Sequence, residues 1–148
     1  MSNQQDVVKE LNQQVANWTV AYTKLHNIHW YVKGPNFFSL HTKFEELYDE
    51  ASQYVDDLAE RILAIGGNPI GTLTESLDKS IVKEAGKNYA AEQMVEELSH
   101  DFTNISKQLE HAIEVAGNAG DDVSEDMFIG MQTSVDKHNW MLQSYLGK

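Results

Sequence analysis

Three breaks in an otherwise continuous helical pattern constrain this chain more than any other feature. Gly34-Pro35 makes the first, Gly66-Gly67-Asn68-Pro69 the second, and the stretch from Gly117 to Gly120 the third. Between them apolar residues recur at alternating spacings of three and four, as on one buried face of a helix. Val8, Leu11, Val15, Trp18, Tyr22, Leu25, His29 and Val32 form such a stripe, predicting a helix over about 4–33. Leu40, Phe44, Leu47, Ala51, Tyr54, Leu58 and Ile65 predict a second over about 38–65. Leu98, Phe102, Ile105, Leu109, Ala112 and Ala116 predict a third over roughly 88–116, and Phe128, Met131, Val135, His138, Leu142 and Tyr145 a fourth over roughly 122–146. Each is about twice the average length of roughly 11–12 residues.

The connections decide how such helices can pack. The first and third are a few residues long, which makes antiparallel neighbours. The second, about 66–87, can cross the full length of a bundle, and Thr74-Glu-Ser-Leu-Asp-Lys79 within it can form one or two helical turns. An all-α four-helix bundle with one long crossover between its second and third helices has ferritin-like connectivity. The 148 residues suit one domain, 1–148.

Composition narrows the chemistry. There is no cysteine, so disulfides, thiolate metal sites and cysteine nucleophiles are excluded. Any metal must be held by nitrogen and oxygen, from six histidines and 23 acidic residues. The net charge of −12 repels nucleic acid and anionic lipid and attracts cations. The opening residues lack a basic region followed by an apolar run, and no apolar run is long enough to span a membrane, so a cytoplasmic protein is expected.

The second helix carries a polar face. His41, Glu45, Ser52, Asp56 and Glu60 share one side, and His41–Glu45 and Asp56–Glu60 are each one turn apart. Either pair can clasp a metal ion, or can simply be a solvated surface. The pairs lie 15 residues apart, which is about 22 Å along a helix, so they cannot hold one ion within one chain. Two copies of this helix packed antiparallel about a two-fold axis near Glu50-Ala51, with Ala51 and Ser52 permitting close approach, would bring His41 and Glu45 of one copy to Asp56 and Glu60 of the other and create two identical sites. His29 adds to the set: it and His41 lie almost equidistant from the Gly34-Pro35 turn and can face each other. Two histidines and three carboxylates suit iron, manganese or zinc. Trp30 adjoins and can pack against the site or intercept oxidising equivalents.

Other motifs weigh less. Glu97-x-x-His100 matches half of a di-iron motif but has no second copy, so His100 and His111 are expected at the surface or an interface. His138 and the methionines Met94, Met127, Met131 and Met141 sit at core spacings and are read as packing. The acidic turn Gly120-Asp121-Asp122-Val-Ser-Glu125-Asp126 either caps the last helix or lines a pore.

These segments are similar to the signatures of a known family. The stretch from Leu25 to His41 (LHNIHWYVKGPNFFSLH), the stretch from Asp56 to Gly67 (DDLAERILAIGG) and the ending Asp136-Lys-His-Asn-Trp-Met-Leu142 resemble the Dps family of miniferritins, and the resemblance spans essentially the whole chain. It implies a hollow dodecamer of tetrahedral symmetry. Fe(II) would be oxidised, usually by hydrogen peroxide, at ferroxidase centres shared between subunits, and the ferric product stored inside. It also implies that His29, His41 and Glu45 of one chain join Asp56 and Glu60 of another, with Trp30 nearby, and that Asp121 and Asp126 line pores through which iron enters. Position 45 is often aspartate in that family, so Glu45 bears on how a second metal is held. DNA-binding members often carry lysine-rich terminal arms, whereas the first ten residues here hold only Lys9 and the last three are Leu-Gly-Lys148. Clustered cations are what phosphate binding requires, so little direct DNA binding is expected. The competing readings are a nucleoid-associated DNA-binding protein and a cage scaffold with vestigial metal ligands.

Overall fold

The computed structural model describes residues 2–87 and 90–148. Among the described residues every regular element is helical: α1 (Gln4–Tyr31), α2 (Phe37–Ala64), the short α3 (Leu73–Lys79), α4 (Ala91–Asn118) and α5 (Asp122–Tyr145). The expected bundle, crossover helix and breaks are all present. The expected start of the third helix, at 88, lies outside the described residues.

Each boundary has a local cause. Asn3 and Asp6 form a capping box, the Asn3 carboxamide oxygen accepting from Asp6 N–H and the Asp6 carboxylate from Asn3 N–H, both at 3.0 Å. Gly66 ends α2 at φ +86°, where an L side chain would be strained, and Gly67 N–H then reaches back to the Ile62 carbonyl at 2.8 Å. Gly120 ends α4 in the same way at φ +73°.

α1 and α2 form one hairpin and α4 and α5 the other, with α3 lying against α1. Leu11, Leu25, Ile28, Phe44, Leu47, Leu58, Phe102, Ile105 and Phe128 fill the interior. α1 departs from the single expected stripe. Five consecutive residues, Gln14 to Trp18, are buried, and Val7 rather than Val8 is fully enclosed. The reason is the crossover, which covers a second side of α1 and is hydrogen-bonded along it. Asn12 donates to the Asn68 carbonyl at 3.1 Å and Gln13 to the Lys79 carbonyl at 2.8 Å, while Asn17 accepts from Ile81 N–H at 3.0 Å. Tyr22, by contrast, is 38% exposed.

A buried polar network and a half-buried one tie the hairpins together. Lys24 on α1 meets Asp101 at 2.6 Å and Glu97 at 2.7 Å on α4. Burial disfavours its charge, but these two carboxylates outweigh that and raise its pKa. On α2, Glu50 accepts from His138 Nε2 at 2.6 Å, from Tyr54 at 2.7 Å and from Ser134. Burial pushes the Glu50 carboxyl up, but these three donors prevail and set it at about 2. Its folded value lies below the usual one, so the stabilisation is complete above about pH 4.5 and is lost as pH falls through about 2. Glu50→Gln is expected to lower stability at pH 7 by roughly 3 kcal/mol, with the gap to the wild type closing between those pH values in acid-unfolding curves.

Candidate metal centre

The turn between α1 and α2 sets the two histidines side by side. Gly34, at φ +111°, lets the chain reverse, so His29 near the end of α1 meets His41 in the second turn of α2. Their rings stack at 3.6 Å between centroids with 13° between planes, and Phe37 covers the other face of His41 at 4.8 Å. Each ring donates Nδ1–H to the other residue's backbone carbonyl, His29 to His41 O at 2.7 Å and His41 to His29 O at 2.8 Å. A carbonyl can only accept, so both Nδ1 atoms carry protons, and Nε2 is the nitrogen of each ring left for a metal. That second bond orients a metal-ligating histidine and fixes its tautomer. His29 Nε2 lies 3.9 Å from Glu45 Oε1. His29 is buried, His41 half-buried and Glu45 exposed, as a centre open to solvent or to a second chain requires.

Asp56 and Glu60 lie farther along α2. With Asp57 they form an exposed group whose carboxylate oxygens approach within 4.8 Å of one another. Gln53 donates to Asp57 at 2.8 Å. The 15 residues from His41 to Asp56 amount to about 22 Å of helix, so one chain holds two separate half-sets. An open groove of about 750 Å³ runs beside the second half, lined by Asp56, Ser52, Ala59, Tyr22 and Leu73. One detail of the expected two-fold contact is corrected here: Ala51 is fully buried, because it lies on the core stripe of α2 with Leu47 and Leu58. The small residues on the outward face are Ser52 and Ala59.

The remaining candidates separate by burial. Trp30 is 66% exposed. Asp121 is buried; it accepts from Arg61 at 2.7 Å and caps α5 through Ser124 N–H at 3.0 Å. Burial raises its pKa, but Ser124 and Arg61 prevail and lower it. Asp126 is exposed. Glu97 pairs with Lys24 while His100 and His111 lie at the surface. His138 is structural, held between Glu50 and Lys43. Met94 and Met131 pack in the core, but Met141 is 38% exposed and accepts from Lys43, because it flanks the buried stripe, on which the next residue, Leu142, lies. Sequence reasoning missed Asp57, Lys24 and Tyr48, whose ring meets His29 edge-on at 5.2 Å. The spacing of Tyr48, three residues after Glu45 and seven after His41, was the available signal.

A four-helix bundle with one long crossover between its second and third long helices has the ferritin-like architecture, and here it carries a histidine pair and carboxylates on α1 and α2. Residues 8–148 match the profile of the ferritin-like domain. General stress protein 20U of Bacillus subtilis is 52% identical over 97% of this chain and 99% of its own, and DNA protection during starvation protein 2 of Bacillus anthracis 48% identical over 96% and 97%. The crystal structure of Dps from Staphylococcus aureus superposes with a TM-score of 0.98 at 88% identity, covering 99% of this chain and 98% of its own. Dps from Listeria innocua soaked with zinc follows at 0.92 and 43%, covering 96% and 97%. The chain belongs to the Dps family.

Proposed function

We propose that this chain, a single ferritin-like domain over 1–148, oxidises Fe(II) at centres shared by two copies and stores the ferric product inside a homododecamer. The observation that carries this reading is the reciprocal His29–His41 bonding through Nδ1, which leaves the two Nε2 atoms as the available ligand nitrogens, that of His29 3.9 Å from Glu45. The complementary carboxylates Asp56 and Glu60 stand on the same helix but out of reach, so a second chain about a two-fold axis completes the set. Iron is the substrate, and hydrogen peroxide the preferred oxidant. Three carboxylates stabilise the trivalent ion more than the divalent one, which favours oxidation. Glu45, one methylene longer than aspartate, sets how the second iron position is held. The acidic turn admits iron, with exposed Asp126 facing the pore and Asp121 holding the turn in shape.

The relatives' names speak of DNA protection. Here that protection is indirect, through removal of Fe(II) and peroxide in the cytoplasm. A net charge of −12 repels phosphate, and no helix among the described residues is long and apolar enough to cross a membrane. Adding Fe(II) and peroxide without oxygen, followed by gel filtration with iron detection, tests the reading. Iron is expected to co-elute with a particle of about twelve subunits. A monomer or dimer, or a cage without iron, would overturn it, and a tight gel shift with DNA at low salt would overturn the indirect mode of protection.

A further inference from the structure

Lys43 on α2 is surrounded by the kinds of atom that surround a metal ion. Its ammonium lies 3.0 Å from His138 Nδ1 and 3.4 Å from the Met141 sulfur, both on α5, and 3.5 Å from a Glu46 carboxylate oxygen one turn along its own helix. An ammonium only donates, so His138 Nδ1 accepts and is the unprotonated nitrogen of that ring. The other nitrogen, Nε2, donates to Glu50 at 2.6 Å. Tyr54, at 2.7 Å, and Ser134 donate to the second Glu50 oxygen and hold the carboxylate in place. A carboxylate behind one ring nitrogen and a cation before the other is how proteins aim a histidine at a metal. Neither an imidazole nor a thioether carries a charge, so neither serves Lys43 as a counter-ion, yet both are metal ligands. The cluster opens outward: His138 is buried and Lys43 half-buried, while Glu46 and Met141 are exposed.

We propose that His138 Nδ1, the Met141 thioether and Glu46 form a site for cuprous copper, which Lys43 plugs when no metal is present. The donor set selects the ion. Thioether sulfur is a soft ligand that favours Cu(I), and imidazole suits copper as well, whereas carboxylate-rich sets suit harder ions. Charge agrees: Cu(I) carries one positive charge, as Lys43 does, so the exchange leaves the balance with Glu46 and Glu50 unchanged. Lys43 leaves on a flexible four-carbon stem and regains its hydration. First-row metals bond nitrogen and sulfur at about 2.0–2.3 Å, so Met141 and Glu46 must close by roughly 1 Å, which their unbranched side chains permit. The ligands come as His138-x-x-Met141 on α5 and Glu46 on α2. The site therefore lies between α2 and α5, whereas the His29–His41 pair lies between α1 and α2, and it stands whether or not that pair oxidises iron.

The test titrates the intact metal-free protein with Cu(I), kept reduced by ascorbate without oxygen, against the chromogenic chelator bicinchoninate. The His29→Ala/His41→Ala double variant is titrated alongside, so that copper held by that pair is recognised. The double variant is expected to keep one Cu(I) per chain, with a sulfur neighbour in its X-ray absorption spectrum. Met141→Leu, which keeps the side-chain volume at an exposed position, should weaken this binding by about 100-fold, since even partners outside the ligand shell cost about 10–100-fold. Lys43→Ala removes the competing cation and should tighten it about tenfold, the worth of one hydrogen bond from a charged group. Wild-type affinity in Met141→Leu, unchanged or weaker binding in Lys43→Ala, or copper bound without sulfur overturns the site. So does a wild type that retains no Cu(I), or copper lost entirely with His29 and His41.

Discussion

Replacing His29 and His41 together with alanine is expected to slow peroxide-driven Fe(II) oxidation by at least about 100-fold, since loss even of groups that only orient ligands costs about 10–100-fold. The two rings support each other: each donates to the other's carbonyl, so losing one removes a ligand and also frees the orientation of its partner. The single variants should therefore approach the double variant in rate. Their stabilities should differ. The His29 carbonyl lies in the last turn of α1, where a helix leaves carbonyls without intrahelical donors, and His41 Nδ1–H satisfies it. The His41 carbonyl lies inside α2 and has its own ladder. His41→Ala should thus lower the melting temperature of the metal-free protein more than His29→Ala. A double variant that keeps the wild-type rate, with circular dichroism confirming an intact bundle, would remove the histidine pair from the chemistry.

The second large effect concerns Lys24, far from that chemistry. Lys24→Met is expected to destabilise the metal-free protein by about 3–5 kcal/mol, the usual result of breaking a buried ion pair from one side, against a total of about 5–15 kcal/mol for a domain. Lys24 is 3% exposed, with Asp101 at 2.6 Å and Glu97 at 2.7 Å. Removing the cation leaves two carboxylates facing each other between α1 and α4. Burial without a counter-ion raises the Asp101 pKa in the variant. A group with a raised folded pKa contributes stability below its unfolded value and loses it as pH rises, so the deficit should be largest at neutral pH and shrink toward pH 5. Adding Asp101→Leu should recover much of the loss, because the buried charge is then removed rather than orphaned. Calorimetry of the single and double variants at pH 5 and 7 checks both statements, and a deficit that does not change with pH would rule out the electrostatic account.

Much of this architecture was legible in the chain because local rules fix it. Long stripes of period 3.6 make helices regardless of their neighbours, and Gly66 and Gly120 end them because only glycine adopts their backbone angles without strain. Helix periodicity also placed His41, Glu45, Asp56 and Glu60 on one face, and the short Gly34-Pro35 turn placed His29 opposite His41. Those inferences need only the rise of a helix and the reach of a turn.

What tertiary structure decided depends on contacts between residues distant in sequence. The buried breadth of α1 follows from the crossover lying on it, which no periodicity within α1 records. Nothing in α1 itself marks Lys24 as an ion-pairing residue; its partners Asp101 and Glu97 come from α4, 77 and 73 residues away. Ala51 stood both on the apolar stripe of the second helix and beside the expected axis, and its full burial keeps it on the stripe and out of the contact. The reciprocal Nδ1 bonds, and the approach of Tyr48 to His29, depend on side-chain torsions that spacing leaves free. A sequence fixes the rise and phase of each helix, and with them which residues can share a face. The rotation of one helix against another, and so which atom of a ring points at a metal, is set by packing across the whole bundle.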